Sequence, residues 1–323
     1  MKTAIKIKPE KYTFRRSVPI YLMLLPGLAY LIINNYLPMA GIVVAFKKLN
    51  FKLGIFGSPW NGLDNLKGGC RSSPLSPYRF TLQLSRRRTA PDYICYNLAF
   101  IVLGTIIPIT VAILLNEIRS KAMARVYQTS ILLPYLMSYV VVSYLAYAFL
   151  SVDTGFINKV LIPLFGREKA VLFYQEKKYW PFILTFVHLW KGLGFSTVVY
   201  LASIVGISPE LYEAARMDGA SKWQQIRNVT LPNLVPTAIT LFILSVGKIF
   251  FSDFGLFYQV PRNSGMLFSA TQTIDTYVYN ALMVNNNIAL SSAASVLQSL
   301  CGVVCILLAN WVVRKISEEN AMF

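Results

Sequence analysis

Carboxylates and histidines are what this chain has least of: 14 Asp and Glu among 323 residues, and one histidine, His188. No carboxylate falls in the middle of a long apolar run. An intramembrane enzyme needs clustered His, Asp or Glu, so no catalytic residue is expected here. An ion-coupled carrier needs paired buried carboxylates or unwound mid-membrane helices, which also argues against that class. Of the 4 cysteines, Cys301 and Cys305 stand one helical turn apart as small packing residues, Cys70 and Cys95 lie far upstream, and no Cys-x-x-Cys occurs. A structural zinc site is therefore excluded, and no metal or cofactor is expected. The chain has no Gly-x-x-x-x-Gly-Lys-Ser/Thr loop to cradle nucleotide phosphates, so any ATP hydrolysis must reside on another subunit. Asp253-Phe254-Gly255 matches the metal loop of protein kinases, but no His-Arg-Asp loop or Gly-rich lid accompanies it and the match is chance. Tandem repeats and Pro/Gly/Ser-rich linkers are also missing, which leaves one domain.

What the chain does have is apolar sequence. At 55% hydrophobic residues, 14% charged residues and a mean hydropathy of +0.51, it lies outside the range of soluble domains. Uncharged runs long enough to span a bilayer are read at about Val18–Phe46, Tyr96–Leu115, Thr129–Leu150, Trp180–Val205, Leu234–Phe251 and Ile288–Val313. The expected fold is all-α, a polytopic bundle of about six transmembrane helices. The first run is over-long and carries Pro26, Asn34, Asn35 and Pro38, so it is expected to tilt or break.

Lys2, Lys6, Lys8, Lys11, Arg15 and Arg16 precede the first span and hold that end in the cytoplasm, with no small-residue cleavage pattern after it. An even number of spans returns the C-terminus to the same side. The organisation is a basic cytoplasmic tail at 1–17, a membrane domain at 18–315 and a cytoplasmic tail at 316–323. The formal charge of +17 reads as orientation and contact with lipid headgroups, not nucleic-acid binding, for which a basic soluble surface is lacking. The Lys and Arg tally goes against this topology, with 15 on the outside segments against 14 inside. The excess comes from residues 68–95, where Arg71, Arg79, Arg86, Arg87 and Arg88 cluster among Ser and Pro. That stretch is either a divergent external loop or the product of compensating reading-frame shifts.

Between the fourth and fifth runs, at about 206–233, lies a polar segment placed in the cytoplasm. Ser208 is a good N-cap and Pro209 suits the first helical position, so a helix starts there, and Gly219 can end it. Leu211, Ala214 and Ala215 form a narrow apolar stripe, while Glu213 and Arg216 point elsewhere. Ser221 caps a second turn carrying Trp223 and Ile226, and Pro232 is expected to stop it. The pattern Glu213-Ala214-Ala215, Asp218-Gly219-Ala220, then Leu231-Pro232 and Pro236, resembles the "EAA loop" of the integral permease subunits of binding-protein-dependent ATP-binding-cassette (ABC) importers. Ile226 and Val229 depart mildly from that pattern and keep its apolar character.

The resemblance extends to Phe250–Pro261, Ile274–Tyr279 and Leu308–Lys315, and is similar to the polysaccharide and oligosaccharide branch of the carbohydrate importers, of maltose-transporter-like architecture. It covers nearly the whole chain except Gly68–Cys95 and weakens at Val284–Asn287 and Ser295–Cys301. It implies a bacterial multi-pass permease of the cytoplasmic membrane that moves a sugar by alternating access. The implied partners are a second homologous permease, a cytoplasmic ATPase dimer and an extracytoplasmic solute-binding protein. It also implies that Leu211, Glu213, Ala214, Ala215, Asp218, Gly219, Ala220, Leu231 and Pro232 dock the ATPase. An ion-gradient-driven transporter or channel stands as the alternative, with the docking loop then unexplained.

Lys191 falls mid-way along the fourth run, where a charge is costly, beside Trp190 and His188. Two readings stay open: Trp190 and Lys191 line a translocation path, or the lysine pairs with backbone carbonyls. Lys248 and Asp253 read as interfacial. Tyr135, Ser138, Tyr139, Ser143, Tyr144 and Tyr147 crowd the third run with hydroxyls and aromatic faces, which suit a sugar path and are also normal for an interfacial belt.

Overall fold

Long uncharged runs become helices because a backbone without water must satisfy its own N–H and C=O groups. In the computed structural model, which describes residues 14–50, 52–66, 89–164, 170–284 and 286–316, they do so throughout. The principal helices are α1 (Phe14–Leu31), α2 (Thr89–Asn116), α3 (Lys121–Leu136), α4 (Tyr139–Leu150), α5 (Trp180–Val205), α6 (Pro209–Met217), α7 (Lys222–Gln225), α8 (Leu231–Gly247), α9 (Phe268–Thr271), α10 (Ile274–Met283) and α11 (Ile288–Ile316). Among the described residues the sole β feature is an isolated bridge between Lys47 and Trp60. The expected tails at 1–13 and 317–323, and most of the odd stretch, lie outside the described residues.

Among the described residues five stretches are long and apolar enough to cross a membrane: Tyr21–Phe46, Cys95–Asn116, Lys177–Val205, Lys222–Gly247 and Ile288–Lys315. The first does not break. It stays helical through a π turn at Ile32–Tyr36, a short α segment at Leu37–Met39 and a 3-10 run at Ala40–Phe46. Pro38 directly follows the π turn, in which Leu37 donates its N–H to the Ile32 carbonyl.

The third run differs from the expected single helix. It is a pair, α3 and α4, bent by 98°. Pro134 lies in the last turn of α3, Met137 leaves helical geometry, and the Ser138 side chain then accepts the Val141 N–H as the N-cap of α4. A residue that caps a new helix ends the old one.

The bundle is organised around α5, which packs against α2, α3 and α8, while α11 packs against α8, α10 and the 3-10 end of the first span. Two clusters sit at opposite ends of α5. Trp180, Leu184 and Val187 join Tyr96, Phe100, Val142, Leu256, Phe257, Val260 and Leu267 at one end. Tyr200 and Ile204 join Ala112 and Leu234 at the other. A helix of this length separates them by roughly 30 Å. The close approach of α5 to α3 depends on Gly194, because a Cβ there would stand 2.8 Å from the Leu132 Cα and overlap the Ile131 carbonyl. Small residues at such crossings let backbones meet where lipid supplies no hydrophobic drive.

Candidate functional site

The corner between α6 and α7 follows from four local interactions. Pro209 occupies the first turn of α6, and Ser208 has the extended backbone of an N-cap, though its hydroxyl makes no capping bond. At the other end Gly219 takes φ +74°, donates its N–H to the Arg216 carbonyl, and is followed by Ala220 donating to Ala215 at 2.9 Å. Those two bonds constitute a Schellman cap, which needs a left-handed residue at this position. Ser221 then opens α7 with a reciprocal capping box: its hydroxyl accepts the Gln224 N–H, and Gln224 Oε1 accepts the Ser221 N–H at 2.7 Å. In the sequence this signal is the Ser-x-x-Gln of Ser221 and Gln224.

Pro232 does not stop the second helix as expected. The chain runs from Lys222 to Gly247 as one helical stretch, because a π turn at Ile226–Thr230 delivers Pro232 into the first turn of α8, where no N–H is required. The corner is thus continuous with a membrane span. Further bonds fix it. Tyr212 and Thr230 share a hydroxyl hydrogen bond of 2.9 Å, and the buried Gln225 donates to the Ala220 carbonyl. Lys222 meets Glu117, just beyond the end of α2, at 2.9 Å. With both groups well exposed, that last pair contributes at most about 1 kcal/mol.

α6 has no buried residue. Leu211 is 46% exposed, Met217 89% and Trp223, across the corner, 71%. Glu213, Ala214, Asp218, Gly219, Leu231 and Pro232 are exposed, while Ala215 and Ala220 are half-buried. Of the expected stripe, Leu211 and Ala214 are therefore exposed and Ala215 is half-buried against the chain. Nothing approaches within 4 Å of a Cβ built on Gly219, so the corner is open on that side as well.

The residues read in the fourth run separate. His188 stacks on Phe100 at 3.9 Å and Trp190 packs against the Trp180 cluster. Lys191 turns instead to the α3/α4 bend, where its Nζ donates to the Tyr135 carbonyl at 2.9 Å and lies 4.8 Å from the Tyr139 ring centre. That carbonyl belongs to the last turn of α3 and has lost its helical partner to the bend, so a cation there satisfies both the orphan acceptor and the helix dipole. The carbonyl pairing read for Lys191 is formed, and it does not bear on whether Trp190 and Lys191 line a path. Asp253 is not a free interfacial group either. Its carboxylate accepts the Tyr139 hydroxyl and the Leu256 N–H, which ties α4 to the turn after α8. Gly255 makes room for this contact, since a Cβ there would stand 2.7 Å from Tyr139 Cγ.

Comparison with known proteins follows the same outline. Residues 104–318 match the family described as "Binding-protein-dependent transport system inner membrane component". The polygalacturonan/rhamnogalacturonan transport system permease protein YteP of Bacillus subtilis (strain 168) is 33% identical, over 98% of this chain and 92% of the relative. The arabinooligosaccharides transport system permease protein AraP of Halalkalibacterium halodurans is 27% identical, over 90% and 86%. Among solved structures, a chain of a bacterial ABC transporter involved in the import of the acidic polysaccharide alginate superposes with a TM-score of 0.81 at 30% identity, over 94% of this chain and 97% of that one. A chain of the alginate transporter in complex with its pentasaccharide-bound periplasmic protein gives 0.80 at 29%, over 94% and 96%.

Proposed function

This chain belongs to the family of binding-protein-dependent transport system inner membrane components, and on that basis we propose that it is the permease subunit of an ATP-driven importer carrying an oligosaccharide or polysaccharide fragment across a bacterial cytoplasmic membrane. It works beside a second, homologous permease, above a pair of ATPase subunits, and receives cargo from an extracytoplasmic binding protein. The chain itself performs no covalent chemistry.

The observation that carries this reading is the outward-facing corner at α6 and α7. A helix with no buried residue, presenting Leu211, Ala214 and Met217, buries little apolar surface against its own chain. Such a face wants a protein partner. Its geometry suits force transmission: the Schellman cap and capping box make the turn stiff, and α7 continues without a break into the Lys222–Gly247 span. When the ATPases close around ATP, a push on α6 therefore tilts a membrane helix instead of deforming a loop. Leu211, Glu213, Ala214, Ala215, Asp218, Gly219, Ala220, Leu231 and Pro232 form or frame that docking element.

The test is transport in vesicles carrying the complete system. Uptake should require ATP, stop with vanadate and survive a protonophore. Uptake that follows a proton or sodium gradient without ATP would contradict the reading.

A further inference from the structure

At the far end of α5 from the docking corner, an exposed arginine rests on a shelf of tyrosines. The Arg262 guanidinium lies 4.4 Å from the Tyr147 ring centre and 5.9 Å from that of Tyr144. Tyr147 leans on Tyr174 at 5.6 Å, and Tyr174 meets the fully buried Trp180 edge-on at 5.4 Å, so the shelf stands on the core of the bundle. Burial pushes the Tyr174 phenol up to about 12, with Arg262 opposing the rise, and it stays neutral as a platform.

Arg262 is held there at a cost. Its φ is +55° and that of Asn263 is +46°. Asparagine tolerates the left-handed region, whereas arginine is strained in it. Such strain persists where the surroundings enforce it, and here the buried Val260 and Pro261 anchor the turn. Among the described residues no carboxylate lies within ion-pair distance of the guanidinium, and no hydrogen bond from it is formed. The Tyr147 ring lies against the guanidinium and Arg262 is exposed, so N–H donors of a group able to take a carboxylate in two parallel bonds remain accessible. Tyr144 is 63% exposed beside it, a flat surface for the C–H face of a sugar ring.

We propose that Arg262 with Tyr144 and Tyr147 forms a subsite for an acidic sugar unit, the arginine binding the carboxylate of a uronate and the exposed tyrosine its ring. The proposal rests on the sugar-import reading and narrows the cargo to oligosaccharides that carry carboxylates.

The test compares trigalacturonate with its methyl ester, which has the same rings and no charge, in vesicles of the complete transporter with saturating binding protein. Arg262→Asn removes the charge and keeps a residue at ease with positive φ. One binding-protein preparation serves both permease forms, so any discrimination created by the substitution belongs to this chain. The expected result is that wild type imports the acid and that Arg262→Asn lowers acid uptake about tenfold or more, the loss expected for charge-assisted hydrogen bonds, with ester uptake unchanged. Arg262→Lys should restore part of the acid uptake. Equal effects on acid and ester, or no effect on either, would overturn the subsite, as would a wild type that imports the ester alone or neither probe. ATP-driven uptake of another sugar in those last cases would leave the import reading standing.

Discussion

Lys191 shows how a costly residue can become a structural one. A lysine in the middle of a span needs a partner, and the α3/α4 bend frees one in the Tyr135 carbonyl. Replacing it with methionine keeps the stem and removes the donor, which leaves that carbonyl unpaired at about 1–3 kcal/mol. Lys191→Met should therefore lower the thermal midpoint of the purified complex, while Lys191→Arg, which can still donate, should lower it less. Equal midpoints for all three proteins would mean that the bond contributes nothing. This arrangement was not legible in the sequence. The cost of the charge could be read, but its partners lie 56 residues away at Tyr135 and, through Tyr139, a further 114 residues on at Asp253. The helix-glycine-helix corner, by contrast, was partly legible: Pro209, Gly219 and Ser221 act on neighbours a few residues away, whereas Ser208 makes no capping bond and Pro232 does not end the second helix.

Among the elements, α5 was readable to the residue at both ends: Pro181 falls in its first turn and Gly206 at its C-cap. The third run was misread as one helix because a hydropathy window averages across the break, and Pro134 and Ser138 occupy only two of its positions. The fifth run was misread at its start, since a proline stops a helix only when its N–H is needed, and the π turn at Ile226–Thr230 removes the need. Packing between elements adds a further expectation. Gly194 lets α5 touch the backbone of α3 just before the bend, and a backbone atom cannot swing aside as a side chain can. Gly194→Val should force the helices apart at a cost of about 1–3 kcal/mol. The expected outcome is lower yield and a lower midpoint in detergent, with Gly192→Val, where a Cβ meets nothing within 4 Å, as the control. Similar losses at both positions would show that the crossing is looser than described.

For the whole molecule, the proposed docking corner and the proposed sugar subsite lie at two ends connected by helices. The docking corner stands at the Tyr200 and Ile204 end of α5, and the arginine and tyrosine shelf at the Trp180 end. Topology fixes what those ends face. If the basic tail is cytoplasmic and the bent pair counts as one span, the corner is cytoplasmic, the shelf is outside and both termini share the inner side. Reporter fusions after Lys11 and after Glu319 should report the same side, and opposite sides would require an odd number of spans. The first span buries little against the rest of the chain, with Tyr21, Leu22, Met23 and Leu25 exposed, as suits a helix that faces lipid or a second permease.

The central claim, that the corner at Gly219 transmits ATP-driven force into the membrane, is tested most directly by ATP hydrolysis in the assembled transporter. Proline cannot adopt φ +74° and has no N–H to give the Arg216 carbonyl, so Gly219→Pro abolishes the cap without touching a span. Glu213→Lys reverses an exposed charge on α6 and should weaken co-purification of the ATPase. The account predicts that Gly219→Pro still inserts, yet loses the stimulation of hydrolysis by cargo-loaded binding protein and with it uptake. Wild-type stimulation and uptake in the Gly219→Pro transporter would contradict the account.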